Sequence, residues 1–199
     1  MHDPETLAFY GSEACAYVAR YRGEQNHDLA SFLARLPPAG RVLELGCGGG
    51  GDTAAMLAHG FDVVPTDGSP EIAREASAFL GRSVQVLRFE DLKYEEAYDG
   101  VWASACLLHV PLTDLSTVLA RVHRALRPGG LFYASYKAGV GEGRDRFGRY
   151  YNYPSSELLG AAYLEAGPWL PLQVDEQQGG GYDDQPTRWV SVTARRTFS

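Results

Sequence analysis

The chain has 199 residues, 45% of them hydrophobic, and a formal net charge of −7. This length and apolar content suit one domain with a full core, whereas a split into two independent domains would leave each half marginal. The acidic balance disfavours a groove that follows nucleic-acid phosphates, although a local basic patch around Arg144, Arg146 and Arg149 keeps that class open.

Cysteine usage and the N-terminal composition predict a reduced, cytoplasmic protein. Cys15, Cys47 and Cys106 are odd in number and widely spaced, and neither a CxxC nor an HxxxH pattern occurs, so no disulfide framework and no metal site are expected. The N-terminus lacks an apolar run of signal length, and no stretch approaches the ~20 apolar residues of a membrane span. We therefore expect no membrane partner.

A helical segment is predicted over residues 12–36. Leu29, Leu33 and Leu36 recur at helical spacing, and Pro37 follows them. From residue 41 onward, strand-like and helix-like patterns alternate, which predicts a parallel sheet with helices on both faces. The predicted strands are 41–46, 61–67, 83–89, 98–105 and 131–137. The predicted helices are 52–60, 69–81, 113–126 and 155–167, the second opened by Ser69 as N-cap.

Two strand-like runs close the chain, 170–176 and 187–196, joined by a polar, glycine-rich loop over 177–186. With no helix between them they predict a hairpin, so that at least one edge strand is antiparallel. A second irregular segment, 138–154, follows the fifth predicted strand. Ligands bind at this end of the strands in open α/β sheets.

A glycine-rich loop follows the first predicted strand in the sequence VLELGCGGGGDTAAML, residues 42–57. Backbone amides and a helix N-terminus gather in such a loop, and bare glycines let a ligand approach the backbone closely. Two ligand patterns fit. Gly46-x-Gly48-x-x-Gly51 matches a dinucleotide fingerprint, with Asp67 near the offset of a ribose-binding acid. The other pattern is an acid, Glu44, two residues before the first of three alternating glycines.

This second pattern resembles the first motif of the class I S-adenosylmethionine (SAM)-dependent methyltransferases, in particular small bacterial proteins of the type 11/12-like groups. Asp67 in VVPTDGSPEI, the acids after the third strand, and ALRPGGLFYAS over 125–135 occur in the same order as in that family. The resemblance runs from about Tyr10 to Arg195. It implies a Rossmann-like, seven-stranded, mostly parallel sheet with helices on both faces and a C-terminal antiparallel hairpin.

The resemblance also implies a domain organisation and a cofactor site. Residues 1–199 would form one domain, with 1–36 as a helical cap over SAM and 138–154 as a substrate-side loop. Asp67 would hold the ribose, and the acids after the third strand the adenine. The implied cofactor-binding residues are Glu44, Gly46, Cys47, Gly48, Gly50, Asp67, Gly68, Glu90, Asp91, Leu92, Ser104, Ala105, Tyr17 and Tyr21.

Three residues are candidates for a catalytic role, namely His109, Lys137 and Tyr150. Methyl transfer from a sulfonium is an in-line displacement, and a general base is needed only for an acceptor that is protonated at neutral pH. His109 is equally compatible with a structural role, and Lys137 would first need a lowered pKa. The aromatic run in 138–154 predicts a wall that holds a cationic or aromatic acceptor.

The sequence therefore favours methyl transfer to a small-molecule acceptor, with S-adenosylhomocysteine as the second product. A tellurite-resistance-like or tRNA-modifying methyltransferase, an NAD(P)-dependent oxidoreductase and a non-catalytic SAM-binding regulator stay open as alternatives. Monomer and homodimer are both compatible with the sequence.

Overall fold

The computed structural model describes residues 2–182 and 186–198. The helices in these ranges are Pro4–Tyr21 (α1), Leu29–Leu33 (α2), Gly51–Ala58 (α3), Pro70–Leu80 (α4), Leu112–Ala125 (α5) and Ser156–Ala166 (α6). The strands are Arg41–Leu45 (β1), Asp62–Asp67 (β2), Gln85–Val86 (β3), Tyr98–Ala103 (β4), Leu126–Lys137 (β5), Gly143–Arg144 (β6), Tyr150–Tyr151 (β7), Trp169–Gly180 (β8) and Pro186–Arg196 (β9). Short 3₁₀ turns occur at Phe89–Asp91 and Leu107–His109.

Seven strands form the main sheet in the order β3-β2-β1-β4-β5-β9-β8. The first five are parallel, and β9 is antiparallel to both of its neighbours. The predicted seven-stranded, mostly parallel sheet with a C-terminal hairpin is thereby confirmed. The antiparallel strand nevertheless lies inside the sheet, because β9 pairs with β5 along Leu131–Lys137 and leaves β8 at the edge.

Helices cover both faces of the sheet, which explains why its central strands are almost wholly apolar. On one face, α5 and α6 pack on β4 and β5 through a large cluster that includes Val118, Val122 and Tyr163. On the other face, Phe32 of α2 and Met56 of α3 pack around Trp102 and Tyr133 and form a second cluster with them. With both faces buried in this way, only the strand ends remain available for a site.

The N-terminal region departs from the predicted single helix over 12–36. It forms α1 and α2, separated by a linker over residues 22–28. The backbone N–H of Asn26 donates to Asp52 Oδ1 at 2.8 Å, and its side-chain amide donates to Ser104 Oγ at 2.9 Å. Tyr133 donates to Asp28 at 2.7 Å. These long-range hydrogen bonds hold the linker against the strand ends and override the helical pattern.

Three other elements differ from their predicted bounds. The third strand, predicted over 83–89, is reduced to Gln85–Val86, because the chain turns at Phe89–Asp91. The predicted turn at 127–130 lies within β5, where the pairing with β4 shifts register. The hairpin arms take up residues 177–180 and 186 of the predicted loop, and residues 183–185 of that loop lie outside the described ranges. The remaining predicted elements agree to within a few residues.

Candidate functional site

A cavity of about 560 Å³ opens at the carboxyl ends of β1, β4 and β5. It is covered by α1, by the 22–28 linker and by the tip of the β8–β9 hairpin. A smaller cavity of about 100 Å³ adjoins it and shares Tyr10, Tyr17, Gly46 and Gly48 with the larger one. Together the two cavities follow the edge of the sheet at which α/β proteins bind ligands.

The glycine-rich loop forms one wall of the larger cavity. Gly46, Gly48 and Gly50 have φ values of 67°, 52° and 79°, in the left-handed region that favours glycine. The N–H of Cys47 donates to the Thr66 carbonyl at 2.9 Å and holds the loop against β2. The main chain of the loop therefore lies along the cavity wall.

Several of these glycines make room for the chain itself. A Cβ atom on Gly51 would lie 1.8 Å from the Glu24 carbonyl oxygen, and one on Gly49 would lie 2.9 Å from the Tyr21 backbone. A Cβ on Gly46 would lie 2.5 Å from Cβ of Cys106. The expectation that the bare glycines serve ligand approach thus needs revision, because close packing of the linker and of Cys106 accounts for three of them.

Asp67 ends β2 and lines the smaller cavity. Its Oδ2 accepts a hydrogen bond from the Gly48 N–H at 3.2 Å, and its Oδ1 accepts one from the Ser69 N–H at 2.9 Å. Loss of surrounding water raises the pKa of this carboxyl to about 6. Gly68, the next residue, also lines this cavity.

Two carboxyl groups lie at the glycine-loop end of the larger cavity. Glu44 is only 2% exposed and accepts a hydrogen bond from the Thr53 hydroxyl of α3. Burial, with repulsion from Asp52, raises the pKa of Glu44 to about 8. Asp52 accepts hydrogen bonds from Asn26 N and from Trp102 Nε1, both at 2.8 Å, and burial raises its pKa as well. This end of the cavity is therefore suited to a cationic group.

The residues after β3 only partly match their predicted placement. Phe89 lines the smaller cavity. Glu90 contacts His2 through Oε1, while its Oε2 is buried without a hydrogen-bond partner among the described residues. Asp91 is exposed and Leu92 is 1% exposed in the core, so neither lines a cavity. The 3₁₀ turn is the reason, because it directs Phe89 toward the cavity and Leu92 into the core.

Ser104 and Ala105 follow β4 and line both cavities. Ala105 has a φ of 49°, an uncommon value for a residue with a Cβ. Its N–H donates to Ser135 Oγ at 2.9 Å, and the Ser104 hydroxyl accepts from Asn26. The turn after β4 is thus held in a strained conformation at the junction of the two cavities.

Tyr17 and Tyr21 lie one turn apart on α1, with their ring centroids 4.8 Å apart, and both line the larger cavity. Tyr17 also stacks on Tyr182 of the hairpin tip at 5.6 Å and meets Tyr10 edge-on at 5.1 Å. The predicted pair is therefore part of an aromatic cover that spans α1 and the hairpin.

His109 is partly exposed and lines both cavities, with its ring beside that of Tyr10. Its Nδ1 lies 2.6 Å from the Tyr150 carbonyl, which can only accept, so Nδ1 carries the proton and Nε2 accepts from the Tyr10 hydroxyl at 3.0 Å. Burial lowers the pKa of His109 to about 4 and raises that of Tyr10 to about 12, and Arg149 donates to the Tyr10 oxygen at 3.2 Å. The Tyr10 hydroxyl thus occupies Nε2, the ring nitrogen of His109 that could accept a proton.

The other two catalytic candidates differ in placement. Lys137 is 7% exposed, lines the larger cavity and lies 4.5 Å above the Tyr151 ring. The prediction for Tyr150 was wrong in placement, because its hydroxyl donates to Glu142 and its side chain does not line the cavity. Tyr151 lines it instead, since successive residues of an extended strand point to opposite sides.

Arg149 is a cavity residue that sequence reasoning noted only as part of a basic patch. Its side chain is 2% exposed, and its Nε and one terminal nitrogen donate to Asp145 Oδ2 at 2.9 and 2.7 Å. Its guanidinium carbon lies within 4.8 to 5.7 Å of five ring centroids. Those rings belong to Phe9, Tyr10, Phe147, Tyr151 and Tyr182.

Sequence reasoning missed further wall residues at the hairpin tip. Gln177, Tyr182 and Trp189 line the larger cavity, and Gln177 accepts from His27 at 2.7 Å. The one sequence feature that could have indicated these wall residues is the run of three glycines before Tyr182. Within 2–182 and 186–198, no group of three or more His, Cys, Asp or Glu side chains is arranged to hold a metal ion. The helices of these same ranges include none with the length and hydropathy of a membrane span.

Comparison with known proteins agrees with this geometry. The family model described as a methyltransferase domain matches residues 43–134, from β1 into β5. An uncharacterized methyltransferase from Synechocystis sp. is 33% identical over 111 residues, covering 55% of this chain and 52% of the relative. The ubiquinone biosynthesis O-methyltransferase of Xanthomonas axonopodis pv. citri is 38% identical over 110 residues, covering 51% and 45%. The chain thus spans about half the length of these curated relatives.

A solved structure extends the similarity beyond this region. The 1,6-didemethyltoxoflavin-N1-methyltransferase of Burkholderia thailandensis, solved with 1,6-didemethyltoxoflavin and S-adenosylhomocysteine, has 25% identity and a TM-score of 0.76. The match covers 97% of this chain and 88% of that protein. The sheet order, the glycine-rich loop, the carboxylate at the end of β2 and these comparisons agree. Residues 43–134 match the methyltransferase-domain family, and the chain has the fold of the class I SAM-dependent methyltransferases.

Proposed function

We propose that the protein transfers a methyl group from SAM to a small-molecule acceptor by in-line displacement. The observation that carries this proposal is that Asp67 lines the smaller cavity and accepts a hydrogen bond from Gly48 of the glycine-rich loop, which lines both cavities. A nucleoside and an amino-acid group can be held on either side of that carboxylate. The match to a methyltransferase solved with a small-molecule ligand supports the class of acceptor.

The chain fits SAM in several independent features. Asp67 would accept hydrogen bonds from the ribose hydroxyls, and Phe89 and Gly68 would line the adenine site. The buried Oε2 of Glu90, without a partner among the described residues, offers an acceptor for an exocyclic amino group. Glu44 lies where it would attract the cationic amino group of the methionine part. When bound, SAM supplies an electrophilic methyl group on a sulfonium.

The chain itself would contribute position and exclusion of water. We propose residues 1–36 as the cap, because Tyr17, Tyr21 and the 22–28 linker cover the glycine-rich loop. Residues 138–154 would form the acceptor-side wall through Arg149 and Tyr151. Holding two reactants in a near-attack geometry supplies much of the acceleration of such reactions. The hydrogen-bonded pair Tyr10 and His109 provides a route for a proton if the acceptor must lose one.

Calorimetric titration with SAM, S-adenosylhomocysteine and NAD tests this proposal. We expect micromolar binding of the first two and no binding of NAD. Binding of NAD alone would favour the oxidoreductase alternative, and binding of none of the three would contradict a cofactor site. Turnover of radiolabelled SAM with an acceptor then separates an enzyme from a non-catalytic SAM-binding regulator, and salt-sensitive binding to tRNA would favour a tRNA-modifying enzyme.

A Glu44→Gln substitution is expected to change stability and SAM affinity in opposite directions. Folding raises the pKa of this carboxyl from 4.5 to about 8, so its contribution to stability is full below pH 4.5 and is lost as the pH rises toward 8. The variant should unfold about 3 °C or more above the wild type at pH 8, since about 1 kcal/mol corresponds to about 2–4 °C in a chain of this size. The difference should shrink toward pH 5.

SAM binding should respond in the other direction. A bound ammonium favours ionised Glu44, so the affinity of the wild type should rise with pH up to about 8. The variant should lose the part of this rise above pH 7, where Asp67, with a pKa of about 6, is already ionised. Thermal scans and calorimetry between pH 5 and 9 measure both effects. Glu95→Gln, at a side chain 74% exposed, is the control. Equal pH profiles for wild type and Glu44→Gln would show that Glu44 does not face the ammonium.

A further inference from the structure

The larger cavity has different charges at its two ends. Glu44 and Asp52 lie at the glycine-loop end, which the proposed function assigns to the cationic methionine part of SAM. At the other end, beyond Ser135, Lys137 and Arg149 line the wall. The guanidinium of Arg20, another lining residue, lies 5.0 Å from the Tyr182 ring centroid. The part of the cavity left for the acceptor is therefore lined by cations.

Arg149 occupies the aromatic cluster predicted to hold a cationic or aromatic acceptor. Its guanidinium carbon lies 4.8 Å from the Tyr182 ring centroid and 4.9 Å from that of Phe9, within the range of a cation–π contact. It is also paired with Asp145, which compensates its burial. The rings thus surround a cation of the chain itself, and a second cation there would be repelled.

Lys137 differs from Arg149 in its position relative to the cavity. It ends β5, pairs in register with Trp189 of β9, and lies two residues after Ser135, which binds the strained turn at Ala105. The residue is 7% exposed, and its ammonium lies 4.5 Å from the Tyr151 ring centroid on the cavity wall. A positive charge on the wall of a cavity attracts an anionic group that enters it.

The remaining walls of this end are flat and polar. The side chains of Tyr151, Tyr182 and Trp189 present ring surfaces, and Gln177 and Gln178 present amides. Flat rings stack well on other flat rings, and amides donate to oxygen and nitrogen acceptors. Since the cavity of about 560 Å³ must also hold part of SAM, the acceptor is small.

We propose that the methyl acceptor is a small planar molecule that carries an anionic group, and that Lys137 selects it by this charge. The proposal rests on the proposed function, because it assigns the glycine-loop end to SAM. It names the class of acceptor that the opposite end of the same cavity recognises.

Three ring compounds of similar size test the charge preference. The protein, saturated with S-adenosylhomocysteine, is titrated at pH 7.5 with 4-hydroxybenzoate, 4-hydroxybenzyl alcohol and tyramine, which are anionic, neutral and cationic. Calorimetry and the fluorescence of Trp189, which lines the site, report binding. We expect the benzoate to bind about tenfold or more tightly than the alcohol and tyramine to bind most weakly.

Variants then assign the preference to Lys137. Lys137→Gln should bind the benzoate no better than the alcohol, and Lys137→Arg should keep most of the preference. Lys93→Gln removes the same charge from an exposed position and is the matched control, since Lys93 and Lys137 are the two lysines of the chain. Thermal unfolding of each variant verifies that it is folded.

Several outcomes would overturn the proposal. They are tighter or equal binding of the alcohol or tyramine, no binding of all three compounds at millimolar concentration, and equal losses in Lys137→Gln and Lys93→Gln. Failure of the proposed function is separate, because it appears in the first titration as absence of binding by S-adenosylhomocysteine itself. The three compounds can then still be compared on the protein alone.

Discussion

Replacing Asp67 by asparagine is expected to weaken binding of SAM and S-adenosylhomocysteine by about 100-fold or more. Asparagine keeps the size of the side chain but turns one acceptor oxygen into an amide donor. That donor would face the Gly48 N–H, which now donates to Asp67 Oδ2, or the ribose hydroxyls on the other side. Hydrogen bonds to a charged group contribute about 1.5–3 kcal/mol each, so the loss of one or two gives this magnitude.

Calorimetry with both ligands measures the effect, with Asp62→Asn as the matched control. Asp62 begins the same strand, and its side chain is 62% exposed beside Arg41. The control should bind both ligands like the wild type. Unchanged affinity in Asp67→Asn would show that this carboxylate does not hold the ribose, whereas equal losses in both variants would point to damage of β2 as a whole.

The Gly51→Ala substitution is expected to displace the 22–28 linker of the cap as well as the glycine-rich loop in which it lies. The added Cβ would lie 1.8 Å from the Glu24 carbonyl oxygen, a distance that no contact tolerates, so the 22–28 linker must move away from α3. Overpacking of this kind costs about 1–3 kcal/mol, which corresponds to a drop in unfolding temperature of about 2–12 °C. SAM affinity should fall as well, because Asn26 would be displaced from Asp52 and Ser104.

Thermal unfolding and SAM titration of Gly51→Ala are compared with Gly160→Ala. A Cβ on Gly160 would meet no atom within 4 Å, and the residue lies inside α6, where alanine is favoured over glycine by about 1 kcal/mol. The control should therefore be as stable as the wild type or more stable, with the same affinity. Wild-type binding by Gly51→Ala would mean that the linker does not take part in the site.

The features that sequence reasoning predicted well depend on neighbours in the chain. Ser69 caps α4 through Ile72 N, as its position before a proline predicts, and Gly60 takes the left-handed conformation after α3. Asp67 was found because the loop and the strand end belong to one β-loop-α-β unit. Such features need no knowledge of tertiary contacts.

The features that it missed depend on contacts between distant parts of the chain. The break between α1 and α2 follows from the hydrogen bonds of Asn26 to Asp52 and Ser104, 26 and 78 residues away. Leu92 was wrongly assigned to the cofactor site. The sequence does not show whether an apolar residue after a strand faces the core or a cavity. Tyr150 was predicted to face the site, but the neighbouring Tyr151 does. A strand of two residues is too short for its sequence pattern to show which residue faces the cavity.

The position of β9 between β5 and β8 has a consequence for synthesis of the chain. In the described sheet, β9 pairs with both β8 and β5. Until residues up to Arg196 have left the ribosome, β8 therefore has two unpaired edges and β5 has one. Unpaired edges of this kind invite wrong pairing with other chains. β9 also carries Trp189 of the cavity wall, so a nascent chain acquires the acceptor end of its site only as β9 folds.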